Sequence, residues 1–302
     1  MSKHAPSKHP FFAAPQLTVT TSNAVVSYRK LGTGPALLFV HGWPVHGATY
    51  RDAAALLADR YTCYVIDLPG AGATPGYSDW SQPLRSHTDT VIEVIKGLGL
   101  EQVALVGFDS GGAIARWVAA ELGDRITALI LSNTEITDHV VKLVKRFAQF
   151  TKVPGSMFVL RRLLGSARFR RGKNGFAGCF NDRDLIAGEF HDLFIAPLLA
   201  DKRRFKETIG LLANVDFEEL ADLAPIHAKI HAPTRFIWGA RGPFFPAAQA
   251  REMSKEFSGF DRMIEIPDGK LFVHEEYPEQ FAAAAAELLD AVVPRLRLSE
   301  AS

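Results

Sequence analysis

The chain has 302 residues, 47% hydrophobic and 22% charged, with 34 Lys and Arg against 33 Asp and Glu. This is a globular composition, long enough for one or two domains, and a net charge of +1 makes no case for nucleic-acid readout. Two cysteines, Cys63 and Cys179, build no disulfide framework and read as free thiols of a reducing compartment.

Residues 1–16 are rich in Pro, His and Lys and read as a flexible N-terminus. They hold no run suited to a signal peptide, and no stretch of about 18 apolar residues occurs anywhere, so a cytoplasmic protein is expected. LTVTT and AVVSYRK read as a hairpin, and ALLFV (Ala36–Val40) as a strand covered on both faces. Helix YRDAAALLADR, strand Tyr61–Asp67, helix SHTDTVIEVIKGLG, strand QVALVGF, helix GAIARWVAAELG and strand Ile126–Asn133 follow. Strand Thr234–Gly239, helix PAAQAREMSKEF, strand RMIEIP and helix PEQFAAAAAELLDAVV close the chain. Strands alternating with helices predict a mostly parallel sheet with helices on both faces. Residues 135–225 interrupt the rhythm with helical patterns and no strand, so they read as a helical cap on a core of 17–134 and 226–302.

LVGFDSGGAIA (Leu105–Ala115) has the layout of a sharp strand-to-helix turn, and Asp109 and Ser110 compete for its apex. Such a turn needs small residues two before and two after the apex. Asp109 has Gly107 and Gly111 there, whereas Ser110 would need Phe108 where a ring has no room. Asp109 takes the apex. The plainer alternative is a Gly-rich turn with a capping aspartate.

With LLFVHGWP, DLPGAGAT and GFDSGG in place, the sequence resembles the α/β-hydrolase superfamily from about Leu17 to Val293. The aspartate apex resembles the haloalkane dehalogenase and epoxide hydrolase branch. The resemblance implies an eight-stranded sheet, a cap after the sixth strand, and an active site between them that takes a small organic substrate. It makes Asp109 a nucleophile that forms an ester with substrate carbon, and makes the amides of Trp43 and Ser110 oxyanion donors. The Trp43 indole N–H is a candidate halide donor, and His41 is a structural residue of the loop.

The pattern departs from this branch elsewhere. Gly242 stands where the acid after the seventh strand belongs, and Asn133 stands in the alternative slot, leaving Glu135 as the nearest carboxylate; Glu135 could equally cap the first cap helix. Leu271 stands in the histidine position, leaving His274 three residues on as a displaced base, with His139 and His191 in the cap as weaker candidates. Glu135 and His274 are therefore the expected acid–base pair. Without a base, hydrolysis of the ester would lose about 10²–10⁴-fold, and the rival reading is a ligand binder or a lyase-type enzyme using Asp109 as proton acceptor. None of the six tyrosines falls in the cap, which counts against epoxide opening.

No cofactor is expected, because the ten histidines make no ligand pairs with acids and GFDSGG lacks the Lys and hydroxyl of a phosphate loop. From His139 to Asn181 there are ten Lys and Arg and no Asp or Glu. Within that stretch VVKLVKRFAQF is amphipathic, with Val140, Val144 and Phe147 on one face. Such a cap suits an anionic ligand or an anionic membrane surface, or is a solvated face balanced by acids from elsewhere.

Overall fold

A computed structural model describes residues 9–77 and 83–300, with the side chains of 293–300 outside the description. Eight strands form one sheet: β1 (Gln16–Thr20), β2 (Val25–Leu31), β3 (Ala36–Val40), β4 (Thr62–Ile66), β5 (Val103–Phe108), β6 (Ile126–Ser132), β7 (Thr234–Gly239) and β8 (Phe260–Ile266). Their order across the sheet is β1-β2-β4-β3-β5-β6-β7-β8. β1 and β2 pair antiparallel, β2 meets β4 antiparallel, and every later pairing is parallel. The central strands β4, β5 and β7 are buried along their whole length. Helices cover both sheet faces, which is why these strands are unbroken apolar runs rather than alternating ones.

Between β6 and β7 every assigned element is helical, so the cap is an α-helical insertion. The N-terminal segment is more ordered than its composition suggested. Pro10–Ala13 forms a helical turn that buries Phe11, and His9 meets Asp52 at 3.0 Å. Burial of one aromatic ring, with the Arg29 guanidinium 5.4 Å from its centroid, outweighs the loose composition there. Residues 1–8 lie outside the described residues. Both cysteines are free and buried, and burial pushes the Cys63 thiol up to about 12.

The sheet brings three loops together at the carboxyl ends of β3, β5 and β6. Their backbones approach closely enough to require glycine. A Cβ on Gly111 would stand 2.3 Å from the carbonyl oxygens of both Val40 and His41, and one on Gly107 would stand 2.7 Å from Gly112 Cα. These are rigid strand ends, so nothing nearby can yield. Gly111→Ala should therefore lower stability by about 2–3 kcal/mol in urea unfolding. Gly165→Ala, with nothing within 4 Å of the added carbon, should change it by no more than about 0.5 kcal/mol.

Candidate active site

Asp109 sits between β5 and the helix Ser110–Leu122 with φ 50° and ψ −138°, a strained conformation for a residue with a side chain. The elbow is thus at Asp109, with Phe108 still in the strand and Ser110 opening the helix. The Trp43 backbone N–H donates to Asp109 Oδ2 at 2.9 Å, and the Ser110 hydroxyl reaches the same oxygen at 3.5 Å. The Ser110 backbone N–H also donates to this carboxylate. Asp109 and Glu135 line one cavity of about 210 Å³ whose walls are mostly apolar, including Ile114, Phe147, Phe176, Leu212 and Leu271, with no Lys or Arg among its lining residues.

The electrostatics follow from that setting. Burial, and then the Glu135 charge, push the Asp109 carboxyl up to about 7, against the opposing pull of the Ser110 and Trp43 N–H groups. Two of the cavity-lining imidazoles, His41 and His87, are held neutral. Burial lowers His41 to about 4, with Nδ1 donating to the Gly42 carbonyl at 2.9 Å while the Leu68 N–H donates to Nε2 at 2.9 Å. His41 therefore fastens two loops, as expected. Burial lowers His87 to about 3 beside the Tyr77 hydroxyl, and His139 Nε2 donates to the Phe244 carbonyl at 2.8 Å.

Glu135 is held by a network that sequence reasoning missed. Thr134 Oγ1 lies 2.7 Å from Glu135 Oε2 and 2.8 Å from the Asp109 carbonyl, and its single proton serves one of them at a time. Arg116, fully buried on the elbow helix, donates to Thr134 Oγ1 at 2.9 Å and to the Glu135 carbonyl at 3.0 Å, with its guanidinium 3.7 Å from Glu135 Oε2. Arg116 also donates to His227 Nε2 at 3.0 Å, so the His227 proton lies on Nδ1, which meets Glu256 at 2.5 Å. The signal available in sequence was an arginine inside an otherwise apolar helical run. Glu135 does not cap the first long cap helix, which begins at Lys142.

The expected acid–base pair is not assembled. His274 is buried in a short helix, Val273–Glu276, among Tyr50, Phe108 and Phe281, and is not among the residues lining the cavity. Thr49 Oγ1 donates to Glu275 at 2.8 Å, so His274 Nε2 must donate to it, also at 2.8 Å, and Nδ1 is left buried without a partner. Burial, with the Arg51 charge adding to it, lowers His274 to about 3. The physical reason lies in the preceding loop. Leu271 and Phe272 donate through their N–H groups to the Cys179 carbonyl, and Phe272 stacks on Phe180 at 4.6 Å. That anchorage makes Leu271 cavity wall and turns His274 into the core.

The acid slot is likewise emptied. Asn133 Oδ1 accepts the Gly239 N–H at 2.9 Å, and its buried Nδ2 has no partner, 3.4 Å from where a Gly242 Cβ would stand. The Trp43 indole corrects the halide expectation, because its N–H is committed to the cap carbonyl of Thr208 at 2.7 Å. His191 pairs with its neighbour Asp192 and is not among the lining residues. Among the described residues no cluster of three or more His, Cys, Asp or Glu is placed to hold a metal, and no helix is long and apolar enough to cross a membrane.

Residues 35–278 match the alpha/beta hydrolase fold family. The chain belongs to that family. It is 28% identical over 276 residues to haloalkane dehalogenase 2 of Mycobacterium tuberculosis, covering 88% of this chain and 92% of the relative. It is 25% identical over 269 residues to a pimeloyl-[acyl-carrier protein] methyl ester esterase of Chromobacterium violaceum, covering 86% and 96%. An α/β hydrolase fold protein from Burkholderia ambifaria superposes with a TM-score of 0.75 at 20% identity, covering 91% of this chain and 99% of that one; at that identity the likeness is one of fold. This α/β hydrolase is therefore an enzyme of the hydrolase class, acting on small organic molecules.

Asp109 binds its proton more tightly folded, near 7, than at its ordinary value of 3.8. Native stability from this group is present below about pH 4 and lost as pH rises to about 7. Asp109→Asn should accordingly gain on the order of 2–4 kcal/mol relative to the unaltered protein at pH 8, and gain least at pH 4, by urea unfolding at both pH values. Glu135→Gln should move the Asp109 carboxyl downward, read from the protonated C=O band in difference infrared spectra.

Proposed function

We propose that this α/β hydrolase uses Asp109 as a nucleophile on carbon bearing a leaving group, without a cofactor, and releases the resulting ester slowly. The observation that carries this reading is the hydrogen bonding of one carboxylate oxygen: the Trp43 N–H fixes Oδ2 at 2.9 Å, which leaves Oδ1 to attack. A Ser or Cys nucleophile would need a base to take its proton, whereas a carboxylate needs none. Oδ1 forms the C–O bond as the leaving group departs with its electron pair. Water then adds to the ester carbonyl carbon, with the developing oxyanion at Oδ2 held by the Trp43 and Ser110 N–H groups. Collapse of this intermediate breaks the bond from that carbon to Oδ1, and the alkyl group leaves as its alcohol with a proton from the added water, restoring the aspartate.

The second step is the weak one. Leu271 and Gly242 supply neither imidazole nor acid, and His274 is sealed in the core. Glu135 is the remaining carboxylate beside Asp109, and we assign it the proton from the attacking water. A carboxylate is a feebler base than imidazole at neutral pH, so hydrolysis of the ester limits turnover. The resemblance to haloalkane dehalogenase 2 supports an alkyl halide as substrate. No tyrosine lines the cavity to protonate an epoxide oxygen, which disfavours ring opening.

With a primary alkyl bromide, bromide should appear as a burst of about one equivalent per site followed by a slow steady rate, and Asp109→Asn should abolish both phases. The burst rate should climb with pH as the Asp109 proton leaves and flatten above about 7. Leu271→His with Gly242→Asp should speed the slow phase by about 10²-fold while leaving the burst unchanged. A second reading rests on the Asp109 titration near neutrality, which suits a proton acceptor of a lyase-type reaction. It predicts exchange of a substrate C–H in deuterated water with no burst.

A further inference from the structure

The cap presents a face that the site does not use. Of the seven large apolar side chains exposed among the described residues, five lie between Leu143 and Val159; Leu143 also lines the cavity, whereas Phe150, Val153, Phe158 and Val159 do not. They belong to two helices, Lys142–Thr151 and Ser156–Gly165, and to the turn between them, where Gly155 takes a positive φ of 81°. Phe158 is 74% exposed, an unusual state for a ring that loses nothing by being buried elsewhere.

The tip's own segment of chain carries charges of one sign. The ten Lys and Arg from His139 to Asn181 face no acid within that stretch, and of these ten only Arg171 forms an ion pair, with Asp184 at 2.8 Å. Lys145, Arg146, Lys152 and Arg162 have no carboxylate within ion-pair distance among the described residues. The idea of a basic face neutralised by acids from elsewhere in the fold does not describe these four. The inner side of the first helix is spoken for, since Val144 and Phe147 line the cavity and Phe147 packs 5.9 Å from the Trp43 ring.

We propose that the helical hairpin tip around Phe150, Val153 and Phe158, ringed by Lys145, Arg146, Lys152 and Arg162, docks the protein on an anionic phospholipid bilayer. Apolar side chains enter the boundary between headgroups and acyl chains while the basic ones meet anionic headgroups, the arrangement of an interfacial rather than a spanning contact. A nucleic acid would satisfy the charges and leave Phe158 and Val153 in water. A second copy on the same face would oppose two basic surfaces. An anionic bilayer meets both halves of the pattern. Docking there sets the outer wall of the cavity against the membrane, and it does not depend on the chemistry assigned to Asp109.

The test is co-sedimentation of the full chain with vesicles of phosphatidylcholine alone or of phosphatidylcholine with phosphatidylglycerol. At low salt the protein should pellet with the anionic vesicles at least about fivefold more than with the neutral ones, and high salt should remove most of the difference. Phe158→Ser and the pair Lys152→Glu with Arg162→Glu should each lower binding about tenfold with unchanged circular dichroism and melting temperature. Val25→Ser, an exposed apolar change at the start of β2, should leave binding intact. Equal binding to both vesicle types, no binding to either, or full binding by the Phe158→Ser protein would overturn the proposal. So would concentration-dependent dimerisation that Phe158→Ser abolishes.

Discussion

The proposed chemistry turns on a carboxylate placed where water stabilises its charge poorly. Asp109 is half-buried in an apolar cavity, with backbone N–H groups as donors and the Glu135 carboxylate, not a cation, as the charge that acts on it. Such a group is costly to ionise, and the fold bears that cost through rigid geometry. β3, β5 and β6 end at one place, glycine backbones close the gaps between them, and the elbow φ of 50° is imposed by what surrounds it. The strain and the raised proton affinity are two faces of one constraint, since both aim the carboxylate into the cavity. Glu135 belongs to the same arrangement: it sits beside the buried Arg116, and its charge holds the Asp109 proton tighter.

The rest of the site is shaped by what the chain lacks. An imidazole in place of Leu271 would lie on the cavity wall, and an acid in place of Gly242 would lie beside the unpartnered Asn133 amide. Both are replaced by apolar or absent side chains, while the loop that carries Leu271 is tied to the Cys179 carbonyl under the cap. His274 is consequently a packing residue with one committed nitrogen and one buried without a partner. Burial among aromatic rings lowers its proton affinity to about 3, which is the opposite of what a base needs.

Much of the fold was legible because periodicity is local. The continuous apolar run of β3 announced a strand covered on both faces, and the small residues at 107 and 111 placed the elbow on Asp109 rather than Ser110. What escaped reading was set by contacts between distant segments. Nothing near Trp43 says that its indole reaches Thr208, and nothing near Arg116 says that it joins Thr134, Glu135 and His227. His274 looked available because it lies three residues past the expected histidine position, yet its environment comes from Tyr50, Phe108 and Thr49, more than 160 residues away. Phe11 reversed a compositional expectation in the same way, through one buried ring.

The central claim is that Asp109 forms a covalent bond to substrate carbon in a site without an imidazole base. It is tested most directly by intact-protein mass spectrometry after acid quenching of the enzyme with a primary alkyl bromide, followed by peptide mapping. The account predicts a gain in mass of one alkyl group, located on the peptide that carries Asp109 and missing in the Asp109→Asn protein. Bromide release at a steady rate with the protein mass unchanged at every quench time would contradict it.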